Sequence, residues 1–401
     1  MARLKILLLE AIHPVADELL QAEGFEVERA DGALKEDQLC ARLQGVHLLG
    51  IRSKTQVTRK VLDAADTLIA VGAFCIGTNQ IALEHAMHRG VAVFNAPFSN
   101  TRSVAEMVLA EIVMLSRHLA DRAKEMHQGL WRKVATGSRE VRGKTLGVVG
   151  YGHIGSQVSI LAEDLGMRVI FHDIAAKLPL GNSQPVKSLE ALLEQSDFVT
   201  LHVPETPQTR GMIGAPELAK MKKGACLINA SRGTVVDLEA LARALHEKQL
   251  DGAAIDVFPE EPEKNRAEGF VTPLRDLPNV VMTPHIGGST LEAQEAIGRE
   301  VSASLARFAH TGTTVGSVNF PAVDLARTPG TWRVINVHQN VPGVLRDLNK
   351  VVSDRGANIH AQVLSTNAAI GYLLMDLDSD VADEVVEDIK RLPTSISART
   401  V

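Results

Sequence analysis

Lys144-Thr-Leu-Gly-Val-Val-Gly150-Tyr-Gly152-His-Ile-Gly155 is the stretch on which the fold turns. A short apolar run reads as a buried strand, the G-x-G-x-x-G spacing follows it directly, and Ile160 and Leu161 continue as a helix. Asp173 closes the next apolar run, Arg168–His172, 18 positions after Gly155. In that order the residues divide the work of holding a dinucleotide. Gly150 makes the tight turn, Gly152 lets a pyrophosphate approach the backbone, and Gly155 lets helix pack on strand. The helix start offers positive partial charge to the phosphates. Asp173 accepts from the ribose hydroxyls and repels a 2′-phosphate, so NAD is favoured over NADP.

On either side of this unit, apolar runs alternate with helical-period segments, the pattern of βαβ units on parallel sheets. Before it, the runs Ile6–Leu9, Val46–Ile51, Leu68–Val71 and Val91–Phe94 read as strands, with helices around Pro14–Ala22, Glu36–Leu43 and Ile81–Arg89. Ser103 and Glu106 are spaced as a capping box. They precede a long stripe through Val104, Met107, Val108, Glu111, Ile112 and Leu115, which reads as a helix bridging two lobes. After the glycine loop, strands are expected near Arg168–His172, Phe198–His202, Ala225–Asn229, Ala253–Asp256 and Val280–Thr283, then a helix over Leu291–His310. The Gly/Thr/Ser-rich stretch Thr311–Ser317 and then Arg327-Thr-Pro-Gly330 read as a linker. The last 70 or so residues follow a βαββαβ order, a ferredoxin-like unit.

The fold class is therefore α/β, with two doubly wound parallel-sheet domains of Rossmann-like or flavodoxin-like type and a C-terminal ferredoxin-like βαββαβ domain. Expected boundaries are residues 1–100 with 289–321, residues 101–288, a linker at 322–330, and residues 331–401.

With 401 residues, 45% of them hydrophobic and 22% charged, the chain has ordinary globular composition and length for several cores. Its net charge of −6 argues against a nucleic-acid partner. Cys40, Cys75 and Cys226 are too scattered for a disulfide framework or a zinc cluster, and buried thiols in a reducing compartment are expected. No metal site is expected. The run Ile6–Leu9 is too short for a signal-peptide core, and nothing approaches the ~18–20 apolar residues that span a bilayer. A soluble cytoplasmic protein is expected.

Three further segments carry chemistry. Asn229-Ala-Ser-Arg232-Gly-Thr places an arginine, a bidentate carboxylate grip, after a strand. Asp256-Val-Phe-Pro-Glu-Glu261-Pro262 places acids after another. Thr283-Pro-His285-Ile-Gly-Gly288 fixes a histidine, the usual proton carrier near pH 7, at a third strand end.

Together with Ile51-Arg52-Ser53-Lys54-Thr55, Ile76-Gly-Thr-Asn79, Phe94 through Glu106 and Gly129-Leu-Trp131-Arg-Lys133, these motifs resemble the D-isomer-specific 2-hydroxyacid dehydrogenases. Within them they resemble the phosphoglycerate dehydrogenases that carry a C-terminal ACT domain. The resemblance covers essentially the whole chain.

It implies NAD at Gly150, Gly152, His153, Ile154, Gly155, Asp173, Ala230, Ser231, Arg232, Asp256, His285, Gly287 and Gly288. It implies catalysis by Arg232, Glu261 and His285. Arg232 would grip the substrate carboxylate, and His285, paired with Glu261, would move the proton. Contacts to the substrate 3-phosphoglycerate are implied at Arg52, Ser53, Lys54, Asn79 and Asn100, with Trp131 and Lys133 reaching in from a neighbouring subunit. L-serine would be sensed at His338, Asn340 and Asn358 of paired ACT domains. A homo-oligomer is implied, with two self-pairing surfaces favouring a tetramer, and 2-oxoglutarate as a possible second substrate.

The chain departs from that pattern in two places. Ala30-Asp31-Gly32-Ala33 has an acid where a basic residue is expected, and the linker has Gly330 alone where a glycine pair would hinge more freely. The alternatives are a hydroxypyruvate or glyoxylate reductase on the same fold, and a non-catalytic NAD-sensing protein.

Overall fold

The computed structural model describes residues 3–262, 269–378 and 380–401. The chain divides into two compact units, Met1–Ser99 with Gln294–Val401, and Asn100–Ala293.

The first unit opens with β1 (Lys5–Leu8), α1 (Val15–Ala22), β2 (Glu26–Arg29), α2 (Glu36–Arg42), β3 (Leu48–Ile51), α3 (Arg59–Ala64), β4 (Ala70–Ala73), α4 (Leu83–His88) and β5 (Ala92–Asn95). Its five strands are all parallel, in the order β2-β1-β3-β4-β5. The inner strands are continuous apolar runs because helices cover both faces of the sheet. At the edge, β2 reads Glu-Val-Glu-Arg and is partly exposed, so no apolar run announces it in the sequence.

The second unit contains α5 (Thr101–Arg117), α6 (Leu119–His127), β6 (Thr145–Val149), α7 (His153–Asp164), β7 (Arg168–His172), β8 (Gln184–Pro185), α8 (Leu189–Gln195), β9 (Phe198–Leu201), α9 (Ala215–Lys220), β10 (Ala225–Asn229), α10 (Leu238–His246), β11 (Leu250–Ile255) and β12 (Val280–Met282). Its seven parallel strands run β12-β11-β10-β9-β6-β7-β8. The strand order reverses at β6, so the ligand crevice lies at the carboxyl ends around that strand. The capping box expected at Ser103 and Glu106 does not form. Asn100 holds the N-cap position of α5, the Ser103 hydroxyl meets that of Thr290 at 2.7 Å, and Glu106 accepts from Arg102.

α11 (Leu291–Thr311) leads into β13 (Trp332–Gln339), α12 (Val344–Asp354), β14 (Ile359–Thr366), β15 (Ile370–Leu377), α13 (Ala382–Lys390) and β16 (Ser395–Thr400). The expected βαββαβ order is present as an antiparallel sheet, β14-β15-β13-β16. One face, with Val334, Leu373 and Met375, packs on α12 and α13 through Leu348 and Val385. The other face, with Ile335, Val337 and Tyr372, shares a core with Val301, Leu305 and Phe308 of α11 and with β1 and β5.

The stretch read as a linker is held along its length. Thr314 donates to the carbonyl of Pro321, and Asn319 bonds to Val91 and Val93. Arg333, fully buried, donates to both oxygens of Asp376 and to the carbonyls of Thr311, Leu325 and Ala326. Arg399 donates to the carbonyls of Phe308 and Ala309, and the Tyr372 hydroxyl to that of Gly312. The end of α11, where helical carbonyls lack partners and negative partial charge collects, is thus capped by two arginines and a tyrosine from the sheet.

Among the described residues no disulfide joins the three cysteines. Cys226 is buried as expected, whereas Cys40 and Cys75 are only half-buried.

Candidate active site

Every chemistry-bearing segment of the second unit sits at the carboxyl end of a strand. After β6, Gly150 takes φ +89°, and a Cβ there would stand 2.4 Å from the carbonyl oxygen of His202. A Cβ on Gly155 would stand 2.2 Å from the Gly150 carbonyl, so α7 packs against the turn only with glycine. Gly152, the N-cap of α7, has nothing within 4 Å of its missing Cβ. The space a pyrophosphate needs is open there, and the residues present fit NAD. After β7, the Asp173 carboxylate accepts the N–H groups of Tyr151 and Ala175 at 2.8 Å each. This fixes the acid beside the glycine turn.

After β10, Asn229 shapes the arginine loop. Its Oδ1 accepts from the Ser231 N–H and hydroxyl, and its Nδ2 donates to the Arg232 carbonyl. Arg232 Nη1 donates to the Ser231 carbonyl. Gly233 then passes so close to Phe258 that a Cβ would stand 2.0 Å from that residue's carbonyl carbon. The arginine loop and the segment leading to Glu261 are therefore in backbone contact.

After β11, buried Asp256 organises the histidine loop. Oδ1 accepts from the Thr283 hydroxyl at 2.6 Å and the Ile286 N–H at 2.8 Å, and Oδ2 from the Gly287 N–H at 2.9 Å. Its own carbonyl accepts the His285 N–H at 2.8 Å. His285 stands at φ +55°, a left-handed conformation that is uncommon away from glycine and gathers at functional sites. Its Nδ1 lies 2.7 Å from Glu261 Oε2, while the Phe258 N–H holds Glu261 Oε1.

The hydrogen bond that His285 donates to Glu261 raises the His285 pKa above its ordinary value; burial opposes this and the charges of Glu261 and Asp256 add to it. Burial pushes Glu261 up, but the His285 hydrogen bond, the Phe258 N–H and the Arg232 charge bring it below its ordinary value. With Nδ1 committed to the carboxylate, Nε2 is the nitrogen left to exchange a proton with a ligand.

Asn100 adds a polar group nearby. Its Nδ2 lies 2.5 Å from where a Cβ on Gly288 would be, and its buried Oδ1 has no partner among the described residues. Of Trp131 and Lys133, both in the coil after α6, Trp131 is 78% exposed.

Glu111 was hidden in the apolar stripe of α5. It is 3% exposed, and both carboxyl oxygens are buried with no hydrogen-bond partner among the described residues. Burial, helped by the charge of Asp256, pushes its pKa up to about 8, so it is largely protonated at neutral pH. It lies one helical turn from Met107, whose Cε packs beside Gly287.

In the first unit, Arg52, Ser53 and Lys54 follow β3, and Asn79 lies in the loop after β4. Sequence reasoning missed what holds them: Glu10 accepts the N–H groups of Arg52, Lys54 and Thr55, and Gln80 donates to the Arg52 carbonyl. Neither lies in a motif: a single acid after a strand and a lone glutamine in a loop give no signal of their own.

The three residues assigned to serine do not meet within one chain. His338 pairs with Gly371 and is followed by Asn340, whereas Asn358 precedes β14 at the Leu377 end of the same sheet. His338 is buried against Asn336, and Asn340 Nδ2 donates to the Asn367 carbonyl.

Residues 109–287 match the model of the D-isomer specific 2-hydroxyacid dehydrogenase NAD-binding domain, and residues 335–397 that of the AHAS small subunit-like ACT domain. The chain is 52% identical to the D-3-phosphoglycerate dehydrogenase of Dictyostelium discoideum, over 99% of this chain and 97% of that one. It is 51% identical to the enzyme of the same name from Escherichia coli, with the same coverage. The chain belongs to the D-3-phosphoglycerate dehydrogenase family.

Among solved structures it is similar to the TT0316 protein from Thermus thermophilus, at TM-score 0.71 and 32% identity over 79% of this chain and all of that one. The NAD-complexed D-isomer specific 2-hydroxyacid dehydrogenase of Lactobacillus delbrueckii ssp. bulgaricus matches at TM-score 0.68 and 26% identity, again over 79% and all of that chain. The protein is an NAD-dependent oxidoreductase with a small-molecule substrate and an ACT domain of the ligand-sensing type. Among the described residues, no helix is long and apolar enough to cross a membrane.

Proposed function

We propose that this chain oxidises 3-phospho-D-glycerate to 3-phosphohydroxypyruvate with NAD, the first step of L-serine biosynthesis. The observation that carries the reading is the His285–Glu261 pair, in a loop hydrogen-bonded to Asp256 at the same sheet edge as Arg232 and the glycine turn. Arg232 grips the substrate carboxylate and polarises the oxygen at carbon 2. His285 Nε2 takes the hydroxyl proton, and Glu261 stabilises the imidazolium that results. Bound NAD supplies the hydride acceptor; the chain's part is orientation and electrostatics. Asn100, with its Oδ1 unpartnered among the described residues, completes the polar lining. Arg52 and Lys54 receive the phosphate, with Ser53 and Asn79 on the same sheet edge, and Trp131 and Lys133 of another copy close over it.

Serine inhibits through paired ACT domains. Asn358 and the His338–Asn340 segment lie at opposite ends of one sheet, so an antiparallel pairing of two copies is what brings them together. The same pairing, with a second one through the exposed apolar residues Met126, Leu130 and Trp131, makes a tetramer. Slow reduction of 2-oxoglutarate is a side activity of the same arginine grip.

The test is NADH oxidation at 340 nm with 3-phosphohydroxypyruvate and, in parallel, hydroxypyruvate, each with and without L-serine. A strong preference for the phosphorylated substrate and inhibition by serine are expected. Equal or reversed preference makes the protein a general 2-ketoacid reductase, and no turnover of either makes it a binding protein.

A further inference from the structure

The five-stranded sheet of the first unit reverses its strand order at β1, so its ligand crevice lies at the carboxyl ends of β1 and β3. Glu10 leaves β1 there, and Arg52–Thr55 leave β3 beside it. Glu10 and Ala11 have φ of +60° and +47°, two successive left-handed residues with neither a glycine. L-residues adopt that conformation at a cost, and it persists where the surroundings enforce it, most often at functional sites.

The turn aims a carboxylate that is 8% exposed at the neighbouring loop. Oε1 accepts the N–H of Thr55 at 2.8 Å and of Arg52 at 3.2 Å, and Oε2 accepts the N–H of Lys54 at 3.0 Å. From the other side, Gln80 Nε2 donates to the Arg52 carbonyl at 2.7 Å and to the Gly77 carbonyl at 3.3 Å. Both backbone polar groups of Arg52 are therefore held by largely buried side chains, and the loop carrying Asn79 is tied in with them.

Three N–H groups converging on one point form a nest that would otherwise take an external anion. Here the chain's own carboxylate fills it. A phosphate group meeting this loop is left to the side chains of Arg52 and Lys54, whose backbone geometry Glu10 sets.

We propose that Glu10 is the positioning residue that gives the site its selectivity for a phosphorylated substrate, with Gln80 as its counterpart across the loop. This rests on the reading that Arg52 and Lys54 receive the phosphate. In Glu10→Gln the amide oxygen still accepts, but its NH₂ confronts the Lys54 N–H, so at least one charge-assisted bond becomes a repulsive contact.

The experiment compares wild type, Glu10→Gln and Gln80→Leu as full-length proteins in NADH oxidation with 3-phosphohydroxypyruvate and hydroxypyruvate. For Glu10→Gln, KM for the phosphorylated substrate rises about tenfold or more, the loss expected from one charge-assisted bond. The kcat value, KM for NADH and kcat/KM for hydroxypyruvate stay close to wild type. Gln80→Leu shows the same pattern more weakly, and decides the matter if Glu10→Gln does not fold. Equal losses on both substrates mean a merely structural role and overturn the proposal, as does no loss on either. A wild-type enzyme that does not distinguish the two substrates overturns the phosphate reading itself, and this inference with it.

Discussion

Replacing His285 with glutamine lowers kcat by about 10²–10⁴-fold, the range that general acid–base catalysis contributes. Glutamine keeps roughly the length and polarity of the side chain but takes up no proton near neutral pH. The loop itself survives the exchange, since Asp256 holds it through Thr283, Ile286 and Gly287, and none of those bonds uses the imidazole. Cofactor binding, read by NADH fluorescence, therefore changes far less than turnover.

The pH profile identifies the group. Oxidation needs the neutral imidazole, so kcat/KM in that direction falls as pH drops through the His285 pKa, which Glu261 raises above 6.5. Reduction needs the imidazolium and falls as pH rises through the same value. Removing the largest raising influence, in Glu261→Gln, moves both limbs to lower pH. Full activity in His285→Gln, or a profile that Glu261→Gln leaves in place, would show that the proton moves elsewhere.

The glycine turn, Asp173, Arg232, Glu261 and His285 were legible in the sequence because each follows an apolar run that can only be a buried strand. Strand ends of a parallel sheet are where such folds bind ligands. What the sequence hid was of two kinds. The edge strands β2 and β8 carry no apolar run, since an edge is half solvated. The acids Glu10 and Glu111 are set apart by burial, and Glu10 also by its partners, which depend on elements far apart in the chain: Glu10 reaches residues more than 40 positions away. Ser103 and Glu106 show the converse error. Their spacing matches a cap, but Asn100 lies one residue before the helix starts and takes the position first.

Arg333 was equally silent, a lone arginine in an apolar strand, and its removal has the largest expected effect on stability. It lies directly opposite Asp376 in the β13–β15 register, and both side chains are fully buried. Burial pushes Asp376 up, but the Arg333 hydrogen bonds and the Thr328 N–H bring it below its ordinary value of 3.8. Arg333→Met leaves that carboxylate buried without its partner and withdraws the donors from the carbonyls of Thr311, Leu325 and Ala326. Breaking a buried pair from one side costs about 3–5 kcal/mol.

Denaturant melts at pH 7 should show a loss of that size in the unit containing residues 294–401. Because a depressed carboxyl pKa stabilises only above the unfolded value and the gain is lost as pH falls through the folded one, the gap between wild type and variant narrows below pH 3.8, leaving the part due to the three carbonyls. Arg333→Met/Asp376→Leu removes the stranded charge and recovers part of the loss. Recovery stays incomplete, because three carbonyls at the end of α11 and along the connecting segment still lack their donor. A single variant as stable as wild type at pH 7 would mean that solvent, rather than Arg333, already satisfies those groups.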